Sequence, residues 1–138
     1  MDEGTPDFEA LRREILDLHK ATIEAHWDKD VDFFVRDVSE DYFSVSNGEV
    51  GHPTAEEVRS TFSYLNNTTF TEYRDLREPM IGFSDDGSVA WSVVQVKVAG
   101  RTVDDGSERV LDFTCAWITV YRRRGDRWIR LGEMSSFK

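Results

Sequence analysis

The sequence predicts an α+β domain, with helices first and an antiparallel sheet after them. Two observations carry this. Through most of the first 65 residues the apolar positions recur at spacings of three and four, whereas beyond Asn66 they alternate. The alternating half is also interrupted by Asp85-Asp86-Gly87, Asp104-Asp105-Gly106 and Arg124-Gly125-Asp126, turn sequences that separate consecutive hairpin strands. Helical and extended segments segregated along the chain in this way pack as helices against one side of a sheet. At 138 residues there is room for one core, so residues 1–138 are read as a single domain.

The elements follow in order. Phe8, Leu11, Ile15, Leu18, Thr22, Ala25 and His26 lie on one helical stripe, giving a first helix over about residues 7–27. Thr5-Pro6 and Asp7 supply its start signals, with carboxylates in the first turn where the helix dipole favours them. Val31, Phe33, Phe34 and Val38 mark a short second helix capped by Asp30. Residues 42–46 alternate and end at Asn47-Gly48, a strand followed by a turn. Thr54 and Glu57 form a capping box for a third helix carrying Val58, Phe62 and Leu65. Four strands are then expected at about 69–82, 88–99, 109–123 and 127–137, joined as a meander.

Composition narrows the function. Seventeen basic residues against 27 acidic ones leave a net charge of −10, which repels nucleic-acid backbones and anionic lipid surfaces. Neither nucleic acid nor membrane is therefore an expected partner. The single cysteine, Cys115, forbids an intrachain disulfide and a Cys-rich zinc site. With no apolar leader at the N-terminus and no apolar run of about 20 residues, a cytoplasmic location is expected. Phosphate-binding glycine motifs and GxSxG are missing, so no cofactor is expected. His19 and His26 are about 10 Å apart along the helix, too far to share a metal ion, and no metal is expected either.

Several segments carry a family likeness. Ala25-His26-Trp27-Asp28-Lys29-Asp30 closes helix 1, Glu40-Asp41-Tyr42-Phe43 enters the first strand, and Ala116 to Arg123 followed by Trp128-Ile129-Arg130-Leu131 and Ser136 forms the closing hairpin. Together with the element order, these resemble the nuclear transport factor 2-like superfamily over residues 8–137. The closing hairpin is similar to that of SnoaL-like proteins and of the calcium/calmodulin-dependent kinase II association domain. The resemblance implies a cone-shaped fold in which a curved sheet wraps around helices. It also implies a homodimer through the open sheet face and a pocket for a small, mainly apolar organic ligand. Where related domains carry histidines in the last strand, this chain has Gly132 and Met134. The positions that correspond to the tyrosine and the carboxylate base of ketosteroid isomerases look like Thr22 and Ser46, and a hydroxyl near its normal pKa is no general base.

The residues themselves offer a short set of candidates. The resemblance implies that the C-terminal turn of helix 1 borders the pocket, which makes His26 a titratable group there; a histidine packed beside Trp27 is the competing structural reading. Glu133, flanked by apolar strand residues, is the best candidate for a buried carboxylate, with an ion pair to Arg123 or Arg101 as the alternative. In strict alternation Glu133 shares a face with Leu131 and Ser135, opposite Trp128, Arg130, Met134 and Ser136. Trp27, Tyr42, Ser46, Trp91, Trp117 and Met134 are candidate ligand-binding walls. If the domain is an enzyme, the resemblance implies cofactor-free proton transfer, as in an isomerase, cyclase, dehydratase or lyase, with His26 or Glu133 as base. A non-catalytic binding or oligomerisation module is the rival reading.

Overall fold

A computed structural model describes residues 5–138; the four residues before them, where the expected domain begins, lie outside the described part. Helix α1 spans Phe8–Asp28, and the Asp7 carboxylate accepts from the Ala10 N–H at 3.1 Å. Its end is set by Lys29, whose φ of 57° puts the backbone in the left-handed region. Helix α2 is Val31–Val35, capped by Asp30. Strand β1, Val38–Ser46, starts earlier than alternation alone suggests. Asn47 and Gly48, both at positive φ, then turn the chain into a short strand β2, Glu49–Gly51, that the sequence reading did not foresee. Helix α3, Ala55–Phe62, begins with the expected capping box, Thr54 and Glu57 each bonding the other's backbone N–H. A 3₁₀ turn, Ser63–Asn67, leads into the sheet.

The remaining strands are β3 Thr68–Asp75, β4 Met80–Phe83, β5 Val89–Asp104, β6 Ser107–Arg124 and β7 Arg127–Phe137. The segment expected as one strand over 69–82 is thus divided. Its two halves pair with different stretches of β5, β3 against residues 96–102 and β4 against residues 90–93, on either side of a break ending at Pro79. The sheet order is β2-β1-β7-β6-β5-β3, antiparallel except where β1 runs parallel to β7. The sheet is curved, and α1 packs on its concave side against Tyr121, Trp128 and the β5 core residues.

Two irregularities control which side chains face inward. In β3 the register to β5 shifts between Phe70 and Glu72, so Phe70 and Tyr73, three residues apart, are both buried. Gly100 makes the bulge possible, because a Cβ there would lie 2.3 Å from the Thr69 carbonyl oxygen. In β7, Arg130 pairs with Tyr121 and Gly132 with Val120, leaving Leu131 as an extra residue. This bulge places Glu133 and Ser135 on the same inward face as Trp128 and Arg130. It corrects the strict alternation expected for the last strand.

Arg130 is also a clamp between layers. Its Nη2 donates to the carbonyl oxygens of Phe33 and Arg36, each at 3.3 Å, and to that of Phe34, holding the C-terminal end of α2 against β7. At the other end of the molecule Glu14 of α1 accepts from Arg123 Nη1 at 2.8 Å and Trp128 Nε1 at 3.1 Å. Arg101 pairs with Glu108 at 2.8 Å. Both arginines considered as partners for Glu133 are therefore engaged elsewhere.

Candidate functional site

A pocket of about 340 Å³ opens between α1, α2, α3 and the concave sheet face. Aromatic rings form a large part of its walls. Phe34 and Phe62 stack with ring centroids 4.0 Å apart, and Phe113, Trp117 and Phe137 come from the last two strands. Exposed Thr61, Tyr64 and Phe137 form the rim, whereas His26, Cys115, Thr119 and Tyr121 are buried. The inward face of β6 carries Phe113, Cys115, Trp117, Thr119 and Tyr121.

His26 sits one helical turn after Thr22, and its Nδ1 lies 2.8 Å from the Thr22 carbonyl oxygen. A carbonyl can only accept, so Nδ1 carries the hydrogen and Nε2 presents a lone pair. The Tyr73 hydroxyl, 3.2 Å away, donates to that lone pair. The rings of His26 and Tyr73 stack at 4.3 Å, and Phe34 meets the imidazole edge-on at 4.9 Å. Burial in this aromatic cage depresses the imidazole pKa to about 4, against the opposing pull of the Thr22 carbonyl. His26 is neutral at pH 7. Burial likewise holds the Tyr73 hydroxyl well above its usual range, so it remains a hydrogen-bond donor.

Glu133 reaches the pocket from β7, beside Ser44 of β1 and Thr119 of β6 in the sheet register. The side chain is partly buried and lines the pocket. Burial raises its pKa, and the Arg130 charge acts in the opposite direction without cancelling the rise. Among the described residues, none hydrogen-bonds the Glu133 carboxyl; the Arg130 Nη2 is aimed at the α2 carbonyls instead. The same burial pushes the Cys115 thiol up to about 12, with Glu133 adding to the shift.

Of the candidates named from sequence, His26, Glu133, Ser46 and Trp117 line the pocket. The other four do not. Trp27 is 44% exposed and packs edge-on against Phe70 from outside, because it follows His26 by one residue and so points about 100° away around the helix. Tyr42 is buried in the core beneath the pocket rather than on its wall. Trp91 is on the outward face of β5, lying over Gly82, and Met134 is turned outward by the β7 bulge. The sequence reading missed Tyr73, Phe34, Phe62 and Arg130. Only Phe34 and Phe62 had a signal, their helical spacing, since the β3 and β7 bulges remove the alternation that would have aligned Tyr73 and Arg130 with the site.

Asp112 contacts Lys97 on the outer face. Among the described residues no cluster of His, Cys, Asp or Glu is arranged to hold a metal ion, and no helix is long and apolar enough to cross a membrane.

Comparison with known proteins adds the fold. No family model matches the chain, and no curated protein does. Solved structures do match. An NTF2-like protein from Cytophaga hutchinsonii superposes with a TM-score of 0.71 at 17% identity, covering 91% of this chain and 96% of the other. A proposed dehydratase of the NTF2-like family from Streptomyces avermitilis gives 0.72 at 16% identity, covering 95% and 97%. The association domain of the C. elegans calcium/calmodulin-dependent kinase II gives 0.65 at 15% identity, covering 93% and 96%. The fold is therefore the nuclear transport factor 2-like one, as the sequence resemblance implied.

Proposed function

We propose that this NTF2-like domain binds a small organic molecule in its aromatic pocket and moves a proton on it without a cofactor, using His26 and Glu133. The observation that carries the reading is the pairing, in one pocket, of a neutral imidazole with a carboxyl that none of the described residues hydrogen-bonds. Each group is held in a useful form. His26 offers Nε2 as a proton acceptor, for which a substrate proton would compete with the Tyr73 hydroxyl. Burial raises the pKa of Glu133, and its carboxyl faces the same space, where it can exchange a proton with a substrate oxygen. Abstraction of a proton alpha to a carbonyl by Nε2, with protonation of the carbonyl oxygen by Glu133, yields an enol beside an imidazolium and a carboxylate. Delivery of the imidazolium proton to another carbon, with the enol O–H returning its proton to the Glu133 carboxylate, is isomerisation; delivery of that proton to a neighbouring hydroxyl that leaves as water, with the same return to Glu133, is dehydration. The likeness to a proposed dehydratase supports this reading at the level of fold.

The outer sheet face supports a homodimer. Met80, Val93, Ile118, Met134 and Val45 are register partners across five strands, forming an apolar row on the face turned away from the pocket. On the adjacent row Trp91 lies over Gly82 and Phe43 over Gly132, which flattens the surface for a second copy. The likeness to an association domain fits this arrangement.

Native mass spectrometry with a panel of cyclic ketones tests the binding step, and deuterium uptake by the same ketones in D₂O tests proton transfer. The expected result is an adduct on the dimer, lost when Ser135→Phe fills the pocket, and uptake lost in Glu133→Gln. An adduct that survives pocket filling, or uptake indifferent to both His26→Gln and Glu133→Gln, refutes the assignment.

A further inference from the structure

The hydrogen bond between Tyr73 and His26 is weakened by its own geometry. Nδ1 of the imidazole is taken by the Thr22 carbonyl, so Nε2 is the atom left for a partner, and the Tyr73 hydroxyl lies 3.2 Å from it. The two rings are stacked, with centroids 4.3 Å apart and planes 25° from parallel. A hydroxyl carried on a stacked ring reaches Nε2 from the imidazole face, whereas the nitrogen lone pair lies in the ring plane, and hydrogen bonds weaken steeply as they bend. The separation agrees, being longer than the roughly 2.8 Å of a well-made hydroxyl bond. Both side chains are buried and line the pocket. A ligand oxygen can therefore reach both atoms if the Tyr73 O–H rotates toward it. Only some oxygens suit the place. An ether or carbonyl oxygen accepts but cannot donate: it either leaves the Tyr73 bond intact and stays unpaired, or takes the Tyr73 proton and strands Nε2. A hydroxyl does both, donating to Nε2 in the ring plane and accepting from Tyr73, so two hydrogen bonds replace one and no buried atom is left without a partner.

We propose that Tyr73 and His26 form a hydroxyl-recognition site: the pocket selects a ring-bearing alcohol or phenol whose O–H donates to His26 Nε2 while its oxygen accepts from the Tyr73 hydroxyl, over analogues whose oxygen at that position can only accept. A site built to hydrogen-bond a ligand hydroxyl discriminates strongly against analogues that lack it, because its own buried polar atoms are then left unpaired. The volume of about 340 Å³, at the small end for ligand sites, suits one or two fused rings beside Phe34, Phe62 and Trp117. The proposal rests on the ligand-binding reading of the same pocket and names the group it recognises. On a hydroxyketone it sets the hydroxyl beside the imidazole, where the dehydration route needs its leaving group.

The test uses 2-naphthol and 2-methoxynaphthalene, a hydroxyl and its acceptor-only ether on the same rings, titrated calorimetrically into the full chain at pH 7. The naphthol is expected to bind more tightly. His26→Phe keeps a ring in the aromatic cage, removes Nε2 and frees the Tyr73 hydroxyl to donate to either probe. The ratio of naphthol to ether affinity should therefore fall by about ten-fold or more in this variant, a comparison in which the different apolar surfaces of the probes cancel. Nitrogen NMR of protein labelled at histidine reads the contact without a variant: the His26 Nε2 resonance should move upfield when naphthol binds, and not when the ether does. Circular dichroism establishes that His26→Phe is folded, and the NMR titration keeps the test decisive if it is not. Tighter binding of the ether, a ratio unchanged in His26→Phe, or an Nε2 resonance that bound naphthol leaves in place overturns the hydroxyl site while leaving a ligand pocket. Failure of both probes to bind overturns the hydroxyl site and the pocket reading together.

Discussion

Acidification isolates the energetic role of His26. In the folded protein its imidazole is neutral until the pH approaches about 4, whereas in the unfolded chain it takes up a proton near 6.5. The stability this contributes is fully present above pH 6.5 and is lost as the pH falls from there toward 4, because only the unfolded state binds the proton in that interval. Each pH unit is worth about 1.4 kcal/mol, so the loss between pH 7.5 and pH 4 is about 3 kcal/mol. Glu133 acts in the opposite sense. Its folded pKa is raised above 4.5, so its contribution is present below that pH and declines as the pH rises through the folded value. The two slopes overlap, and the stability profile of the unaltered protein alone does not separate them. The informative quantity is a difference: urea unfolding free energies of the protein and of His26→Gln, measured from pH 7.5 to 4, where every shared group cancels. The stability advantage of histidine over glutamine should shrink by about 3 kcal/mol across this range. A difference that stays constant within about 0.5 kcal/mol would show that the aromatic cage does not hold His26 neutral, and the proton-acceptor role would fall with it.

Three further outcomes are expected. Cys115, pushed up to about 12 by burial, should react with a disulfide reagent at pH 8 at least about a hundred-fold more slowly in the native protein than in urea, and more slowly still with the pocket filled; comparable native and unfolded rates would contradict its enclosure. Replacing Arg130 by Met removes charged hydrogen bonds to the α2 carbonyls and should lower stability by about 2 to 3 kcal/mol in urea unfolding, with a loss under about 0.5 kcal/mol showing that α2 does not depend on the clamp. Ile118→Asp sets a charge in the middle of the outer apolar row and should convert a dimer to a folded monomer by light scattering; an unchanged mass would move the interface elsewhere.

Much of the architecture was legible because it depends on repeating local physics. The stripe from Phe8 to His26 gave α1 to within a residue at each end, and the Asp30 cap and the Thr54-Glu57 box placed the next two helices. The turn sequences located β5, β6 and β7. What could not be read depends on pairing between distant segments. The parallel contact of β1 with β7 joins residues some ninety apart and leaves no periodic trace in either strand. The short strand β2 consists of three exposed residues whose only specification is the Asn47-Gly48 turn before them.

The site itself lies where alternation breaks. A bulge adds one residue to one strand, and every side chain beyond it changes faces. In β3 this buries Tyr73 against His26; in β7 it brings Glu133 round to the side of Arg130 and turns Met134 out. A regular β7 that kept Arg130 inward would place Glu133 on the outer face, among Ile118 and Val45, where a carboxyl would have solvent or a dimer partner instead of an enclosed pocket. Arg130 is needed inward to hold α2, and α2 supplies Phe34 to the cage around His26. The extra residue at Leu131 therefore lets one strand do two things that regular pleating makes incompatible: anchor the helix layer with a cation, and present an acid to the same cavity three residues later.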